Sequence, residues 1–192
     1  SYKNLFLADN DTNGAQNENI FTANFDGLRS QTWAGTTFLV HGAVGGTMNP
    51  SDFGVGSGWS GLRTTKAFVQ KFEGTGTPPT SWTDARAMFH TDGQEYEISS
   101  ISNFKEGYAI TKFRNVTSLG KAGKDPGGNY VDTDLALIRL GEVYLNYAEA
   151  AVRIGNNIPT ALGYVNQLRN RAGASTLGAI TAEEILNERA RE

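Results

Sequence analysis

The chain has 192 residues, 39% of them hydrophobic, and a formal net charge of −3. This length suffices for one domain with a hydrophobic core, and the composition is not that of a disordered chain. Lys and Arg form no basic stripe, which argues against a nucleic-acid partner, and the lack of cysteine excludes disulfides and thiolate metal sites. No apolar run is long enough to span a membrane, and nothing at Ser1 resembles a signal peptide.

The first part of the chain, residues 1–132, is predicted to consist of loops and short β-hairpins, because Gly, Asn, Asp, Ser and Thr interrupt its apolar runs. In chain order the predicted elements are the end of a helix at Tyr2–Leu7, strands at Ile20–Phe25 and Thr36–His41, a short helix between Thr65 and Gly74, a loop at Thr75–Thr80, a hairpin of Ala87–His90 with Glu95–Ile98, and a strand at Tyr108–Val116. The Asp92-Gly93 pair supplies the turn of this hairpin.

The second part, residues 133–192, is predicted to be helical. Apolar residues recur at intervals of three and four from Leu137 to Val152, which predicts an amphipathic helix. Thr133 or Asp134 can cap the start of this helix, and Gly155 supplies its left-handed end.

Pro159 marks the start of a second helix, which Gly173 ends, and the short connection predicts that the two helices lie antiparallel. The sequence Thr181-Ala182-Glu183-Glu184 is a capping box that predicts a third helix. The first pair begins like a tetratricopeptide helix pair, which cannot bury its apolar face alone. The predicted fold is α+β: a single domain over residues 1–192 with loops and short hairpins first, then a TPR-like helical hairpin and a further helix.

Three helical segments resemble signature segments of the SusD/RagB family of nutrient-binding outer-membrane lipoproteins. They are Ile138–Ala150 (IRLGEVYLNYAEA), Val165–Gly173 (VNQLRNRAG) and Glu188–Glu192 (ERARE). The resemblance implies a longer, mainly α-helical protein that begins with a signal peptide and a lipidated cysteine. Because the sequence contains neither, it is expected to be the C-terminal portion of a longer, lipid-anchored protein, truncated within its last helix.

Three tryptophans, Trp33, Trp59 and Trp82, lie among Gly, Ser and Thr rather than in apolar periodic runs. A flat indole covers the C–H face of a sugar ring well, so these residues are candidates for binding a glycan; the alternative is that each Trp fixes a loop to the core. Residues near Trp59 that we expect to contact the same ligand are Asn49, Asp52, Phe53 and Arg63.

Other kinds of site have weaker support. Residues 56–61 fit a G-x-G-x-x-G pattern, but no buried strand precedes them and a Trp lies in the turn, which disfavours a dinucleotide. His41 and His90 are too few for a histidine metal cluster. Oxygens of Asp125, Asp132 and Asp134 could bind Ca²⁺, but their spacing lacks an EF-hand pattern, so no cofactor is predicted.

The sequence and the resemblance together favour a non-catalytic protein that captures a glycan or similar nutrient at the cell surface. The resemblance implies a SusC-like TonB-dependent transporter as partner and attachment to the outer leaflet of the outer membrane. Two alternatives stay open: a helical-repeat adaptor that binds only protein, and a glycoside hydrolase. The hydrolase needs two carboxylates at a set separation, which a sequence cannot show. The carboxylates considered are Asp84, Asp92, Glu95, Glu97, Asp132 and Asp134.

Overall fold

A computed structural model describes every residue from Ser1 to Glu192. The helices are α1 (Thr36–Ala43), α2 (Lys66–Val69), α3 (Leu140–Ile154), α4 (Ile158–Ala172) and α5 (Ala182–Arg191), with short 3₁₀ segments at Tyr2–Phe6, Ala15–Asn17 and Pro50–Phe53. The strands are β1 (Asn19–Ala23), β2 (Arg63–Thr64), β3 (Gly74–Gly76), β4 (Pro79–Trp82), β5 (Phe89–His90), β6 (Tyr108–Ile110) and β7 (Leu135–Arg139). The predicted α+β class and its order, loops and strands first and helices last, are confirmed.

The helices α3 and α4 form the predicted hairpin. Gly155 and Gly173 end them with φ of 76° and 72°, the left-handed conformation that glycine adopts without strain. The Thr181 hydroxyl accepts a hydrogen bond from the Glu184 amide at 3.1 Å, so the predicted N-cap of α5 is also present. None of the helices is both long enough and apolar enough to cross a membrane.

The three C-terminal helices share one apolar core. Its fully or nearly fully buried residues are Leu145, Ala148, Ala151, Ala161, Val165, Leu168, Ile180 and Ile185. Small residues on α3 let α4 approach closely, while each buried Leu, Val or Ile contributes about 1.5–3 kcal/mol of transfer free energy. The helical part is therefore held by its own core.

The start of α3 differs from the prediction. Residues 135–139 form β7, which pairs antiparallel with β1, and the helix begins at Leu140 after an extended Arg139. The predicted caps serve other purposes: the Thr133 hydroxyl donates to the Arg114 carbonyl at 2.9 Å, and the Asp134 carboxylate accepts from the Phe25 amide at 2.7 Å. Pairing with a distant strand overrides the local helical spacing.

The predicted hairpin around Asp92-Gly93 is also wrong. Strand β5 pairs with β6, and β6 also pairs with β2, so the three strands form one sheet in the order β2-β6-β5. Strand β6 ends at Ile110 rather than at the predicted Val116. Glu95 instead exchanges backbone hydrogen bonds with Lys105 and Gly107. The predicted loop at Thr75–Thr80 contains most of the β3–β4 hairpin.

Residues 36–41 form helix α1 and not the predicted strand. Their buried positions, Thr36, Thr37, Val40 and His41, followed by Val44, show the spacing of a helix rather than the alternation of a strand. Two Thr and a Val suggested a strand because β-branched residues favour extended structure, but packing decided otherwise. Val40 and Val44 belong to the core of the first part of the chain, with Met48, Phe53, Val55, Phe104, Ala109 and Val131.

Candidate functional site

Four aromatic rings lie together on the surface around α1, and we call them the aromatic platform: Trp33, Phe38, Trp59 and Tyr130. The ring centroids of Trp33 and Tyr130 are 4.7 Å apart, those of Trp33 and Trp59 5.8 Å, and those of Phe38 and Trp59 6.2 Å. Trp33 is 52% exposed, Phe38 46% and Trp59 39%. Such a contiguous exposed aromatic surface marks a binding site more often than a folding requirement.

The Trp59 loop is fixed to the C-terminal end of α1 by main-chain hydrogen bonds. The Trp59 amide donates to the His41 carbonyl at 2.8 Å, and the amides of residues 61 and 62 donate to the Gly42 carbonyl. A Cβ at Gly58 would lie 2.4 Å from the Val44 carbonyl oxygen, so only glycine permits this close approach. The carbonyl groups at the helix end thus gain donor partners, while the loop presents its indole outward.

The Tyr130 loop is organised by Asp125. The Asp125 carboxylate accepts hydrogen bonds from the amides of Gly127, Asn129 and Tyr130 at 2.8–3.0 Å. Burial opposes ionisation of this carboxyl, but the three amides outweigh that effect and hold the pKa of Asp125 below its ordinary value. The Gly56 amide donates to the Gly128 carbonyl at 2.9 Å, which joins this loop to the one that carries Trp59.

His41 lies beneath the aromatic platform and is buried. Its imidazole stacks on the Trp59 indole with a centroid separation of 4.7 Å and an interplanar angle of 18°. Ser57, Ser60 and Asn129 adjoin the platform in sequence and are exposed. The site therefore combines flat apolar surfaces with neutral hydrogen-bonding groups, and no charged residue belongs to the platform itself.

The predicted site residues are only partly brought together. Trp33 and Trp59 are neighbours, whereas Trp82 lies on β4, is half-buried and packs against Phe89 and Tyr108 with ring centroids 5.1 Å and 6.3 Å away. Its indole N–H is buried without an acceptor. Trp82 thus has the contacts of a residue that fixes a loop to the core.

The predicted neighbours of Trp59 make no hydrogen bond and no ring contact with the platform. Phe53 is buried in the core, and the Asn49 side chain accepts from the Ser51 amide. Asp52 lines a different cleft, which Arg114 shares. The Arg63 guanidinium donates to the backbone carbonyls of residues 61, 101 and 106.

The candidate catalytic carboxylates lie apart from the platform or serve structural contacts. Asp84 forms a buried ion pair with Arg86 at 2.8 Å, and Asp132 accepts from the Gly27 amide at 2.9 Å. Glu97 pairs with Lys66 on the surface. The carboxylates of Asp125, Asp132 and Asp134 accept hydrogen bonds from backbone amides. No group of three or more potential metal ligands is present.

An apolar cavity of about 190 Å³ lies elsewhere and contains no platform residue. Side chains that line it include Leu39, Phe68, Phe89 and Phe113, with three cationic groups, those of Arg86, Lys112 and Arg191. Arg86 is engaged by Asp84 and Glu188, so it offers little to a hydroxylated ligand. The cavity is less suited to a sugar than the aromatic platform.

Comparison with known proteins identifies the scaffold. The family model of the SusD family matches residues 92–192, which is more than half of the chain.

The chain belongs to the SusD family.

Its similarity to single members agrees with this assignment. It is 31% identical to the starch-binding protein SusD of Bacteroides thetaiotaomicron over an alignment of 234 positions, which covers all of this chain and 41% of that protein. Among solved structures, it resembles the surface glycan-binding protein A of Bacteroides uniformis (TM-score 0.62, 19% identity, 100% of this chain and 37% of that one). A SusD homologue of B. thetaiotaomicron gives a TM-score of 0.63 at 19% identity, covering 96% of this chain and 36% of that one. The chain therefore spans about two fifths of the length of these relatives.

The charged residues of the SusD-family segments form a buried network. The Arg86 guanidinium pairs with Glu188 at 2.6 Å, and Arg169 pairs with the other oxygen of Glu188 at 2.7 Å. Arg139 lies 3.0 Å from Glu18 and 2.9 Å from Glu192. These pairs join α4, α5 and the C-terminal Glu192 to β7 and the strand-rich part, so they support the scaffold and do not reach the platform.

Sequence reasoning missed three members of the site, Phe38, His41 and Tyr130. Phe38 is exposed on a segment predicted as a strand, and only its helical position places it beside Trp59. Tyr130 follows Gly127-Gly128-Asn129 and, like the tryptophans, lies among small and polar residues outside any apolar periodic run. That signal could have identified Tyr130.

Proposed function

We propose that the chain is the glycan-binding portion of a non-catalytic surface protein, and that the aromatic platform is its binding site. The observation that carries this proposal is the contact between the two half-exposed indoles of Trp33 and Trp59, whose centroids are 5.8 Å apart. They come from loops separated by 26 positions, so the fold assembles a surface that neither loop has alone.

The chemistry of the platform suits a sugar. Indole and phenol rings cover the C–H faces of pyranose rings, and their burial by ligand releases water from apolar surface. Exposed hydroxyl and amide groups at Ser57, Ser60 and Asn129 are placed to exchange hydrogen bonds with sugar hydroxyls. Binding of this kind is reversible, with no bond made or broken.

The relatives support the same ligand class. One is a starch-binding protein and another is a surface glycan-binding protein. By analogy with this family, we propose that the whole protein is lipid-anchored at the outer leaflet of the outer membrane. There it would pass the captured oligosaccharide or polysaccharide to a SusC-like TonB-dependent transporter. Co-purification of that transporter with the tagged protein from its native membrane would test this partner.

The two alternatives have less support. A protein-only adaptor would not require exposed indoles, yet Trp33 is 52% and Trp59 39% exposed. A glycoside hydrolase would need a pair of carboxylates flanking the bound sugar, and none of Asp84, Asp132 and Glu97 belongs to the platform.

Isothermal titration calorimetry against a panel of neutral and acidic polysaccharides tests the proposed function. The same mixtures should be assayed for released reducing ends. We expect measurable binding of at least one glycan without any release of reducing ends. Release of reducing ends would support the hydrolase, and absence of binding across the panel would favour the adaptor.

A further inference from the structure

The imidazole of His41 has an unusual pair of hydrogen-bond partners. Its Nδ1 lies 2.7 Å from the Ser57 carbonyl oxygen, and its Nε2 lies 2.9 Å from the Asn129 carbonyl oxygen. Both distances are those of good hydrogen bonds. Ser57 precedes Trp59 by two residues and Asn129 precedes Tyr130 by one, so the ring connects the two loops that carry platform residues.

A carbonyl oxygen can only accept, so each of these bonds requires a proton on the ring nitrogen. A neutral imidazole carries one N–H, and its other nitrogen is an acceptor. In the neutral form one of the two carbonyl oxygens would therefore face a ring lone pair instead of an N–H. Both bonds exist together only in the doubly protonated imidazolium.

Two contacts of the ring suit a positive charge, while its burial opposes one. His41 is in the last turn of α1, where the helix carbonyls attract positive charge. It stacks on the face of the Trp59 indole, whose quadrupole attracts a cation.

The segments packed around His41 contribute few charges. No other residue of α1 is charged, and the segment 53–62 contains no charged residue. The loop with Asn129 contributes Asp125 and Asp132, and the segment before Trp33 contributes Asp26 and Arg29. Asp125 and Asp132 are bound by backbone amides, and Asp26 pairs with Lys124 at 2.8 Å. No ion pair competes for the ring.

We propose that His41 is a positioning residue of the aromatic platform: as an imidazolium it holds the Trp59 loop and the Tyr130 loop together, so that the platform is complete only while both ring nitrogens are protonated. The consequence for binding rests on the proposed function: the affinity for glycan depends on the protonation of His41. When the ring loses a proton, one loop loses its bond and the spacing of the rings relaxes.

Nitrogen NMR of the protein with ¹⁵N-labelled histidine tests the protonation state directly. We expect both nitrogens of His41 to show protonated shifts near pH 6, with N–H protons slowed in exchange by burial, and the His41→Phe variant assigns these signals by their loss. A neutral tautomer of His41 at about pH 6, where an ordinary histidine with a pKa of about 6.5 is already mostly protonated, would overturn the proposal whether or not a glycan binds.

The second test measures glycan affinity against pH. We expect binding to weaken on the order of tenfold, or about 1.4 kcal/mol, as the pH rises through the NMR titration of His41. The protonated form binds better, so saturating glycan should move that titration to higher pH. His41→Phe keeps a stacked ring without donors and should bind weakly with a flat pH profile. His90→Gln, which alters the other histidine, should keep the wild-type profile.

Failure of this inference and failure of the proposed function are distinguishable. If no glycan binds, tryptophan fluorescence in a Trp82→Phe background still reports the platform, and we expect its emission to follow the His41 titration. An affinity or an emission that stays constant while the ring titrates would refute the positioning role. If circular dichroism shows that His41→Phe does not fold, the NMR titration and the pH dependence of the wild-type protein can still support or refute the proposal.

Discussion

Truncation of the two platform tryptophans gives the sharpest test of the site. A whole Trp side chain presents about 250 Å². With Trp33 52% and Trp59 39% exposed, about 130 Å² and about 100 Å² are open to a ligand. A sugar ring covers one face, or about half of each, which at ~25 cal/mol per Å² corresponds to about 1.6 and about 1.2 kcal/mol. We expect Trp33→Ala to weaken glycan binding about 15-fold and Trp59→Ala about eightfold.

Trp82→Ala is the matched control, because it removes the same side chain from a packed position. Trp82 contacts Phe89 and Tyr108. Its truncation should therefore lower the free energy of unfolding by about 3 kcal/mol or more and leave the affinity within about twofold. Because Trp33 and Trp59 touch, their effects need not add, and a double-mutant cycle gives the coupling between them.

Calorimetry measures the affinity, and chemical denaturation of the same variants measures stability. We expect opposite effects in the two kinds of variant. Trp33→Ala and Trp59→Ala should lose affinity with little change in stability, and Trp82→Ala should lose stability with little change in affinity. Wild-type affinity in both Trp33→Ala and Trp59→Ala would refute the assignment of the platform as the binding site. An equal loss of affinity in the Trp82 variant would show that the losses report folding and not contact.

Three further predictions follow from the structure. Hydrogen bonds from the Ser99 hydroxyl and from neighbouring donors lower the pKa of Glu106 to about 2. The ionised Glu106 carboxylate therefore stabilises the fold above the ordinary pKa of 4.5, and this stabilisation is lost as the pH falls from 4.5 to about 2. In Glu106→Gln this acid-dependent loss should be smaller, as measured by urea denaturation at a series of pH values. Arg86→Met removes one cation from the buried carboxylates of Asp84, Glu188 and Glu192, and it should lower the free energy of unfolding, measured by chemical denaturation, by about 3–5 kcal/mol. A decrease below about 1 kcal/mol would mean that these carboxylates become hydrated or protonated at little cost. Gly58→Ala should displace the Trp59 loop, because the new Cβ would lie 2.4 Å from a carbonyl oxygen, so calorimetry should show weaker glycan binding; unchanged binding would mean that the loop can shift without moving the indole.

The sequence predicted the helical part of the fold well and the rest poorly, for a physical reason. The stripe on α3 and the glycines at 155 and 173 act within one helix, so local spacing suffices to recognise them. Strand β7 precedes the same helix and has a partner, β1, more than a hundred residues away. No local pattern distinguishes that pairing from one more turn of helix.

The site was predictable only in part, because its chemistry depends on which loops meet. Trp33 and Trp59 stand out because they lie among Gly, Ser and Thr, and so does Trp82, but only the first two share a surface. The same type of residue in the same type of loop thus has two different environments. His41 carried no signal in the sequence, because its importance lies in two carbonyl groups contributed by residues 57 and 129.

The residues that identify the family and those proposed to bind glycan are physically separate. Arg169 and Glu188, which belong to the signature segments, are buried in ion pairs among α4, α5 and the strand-rich part. The platform loops are instead held by main-chain hydrogen bonds and by glycines such as Gly58, which constrain backbone paths and leave the outward side chains free to differ. A scaffold of this kind can keep its signature while its exposed rings change. Membership of the SusD family therefore predicts the architecture, and we propose that the outward rings of the platform determine which glycan binds.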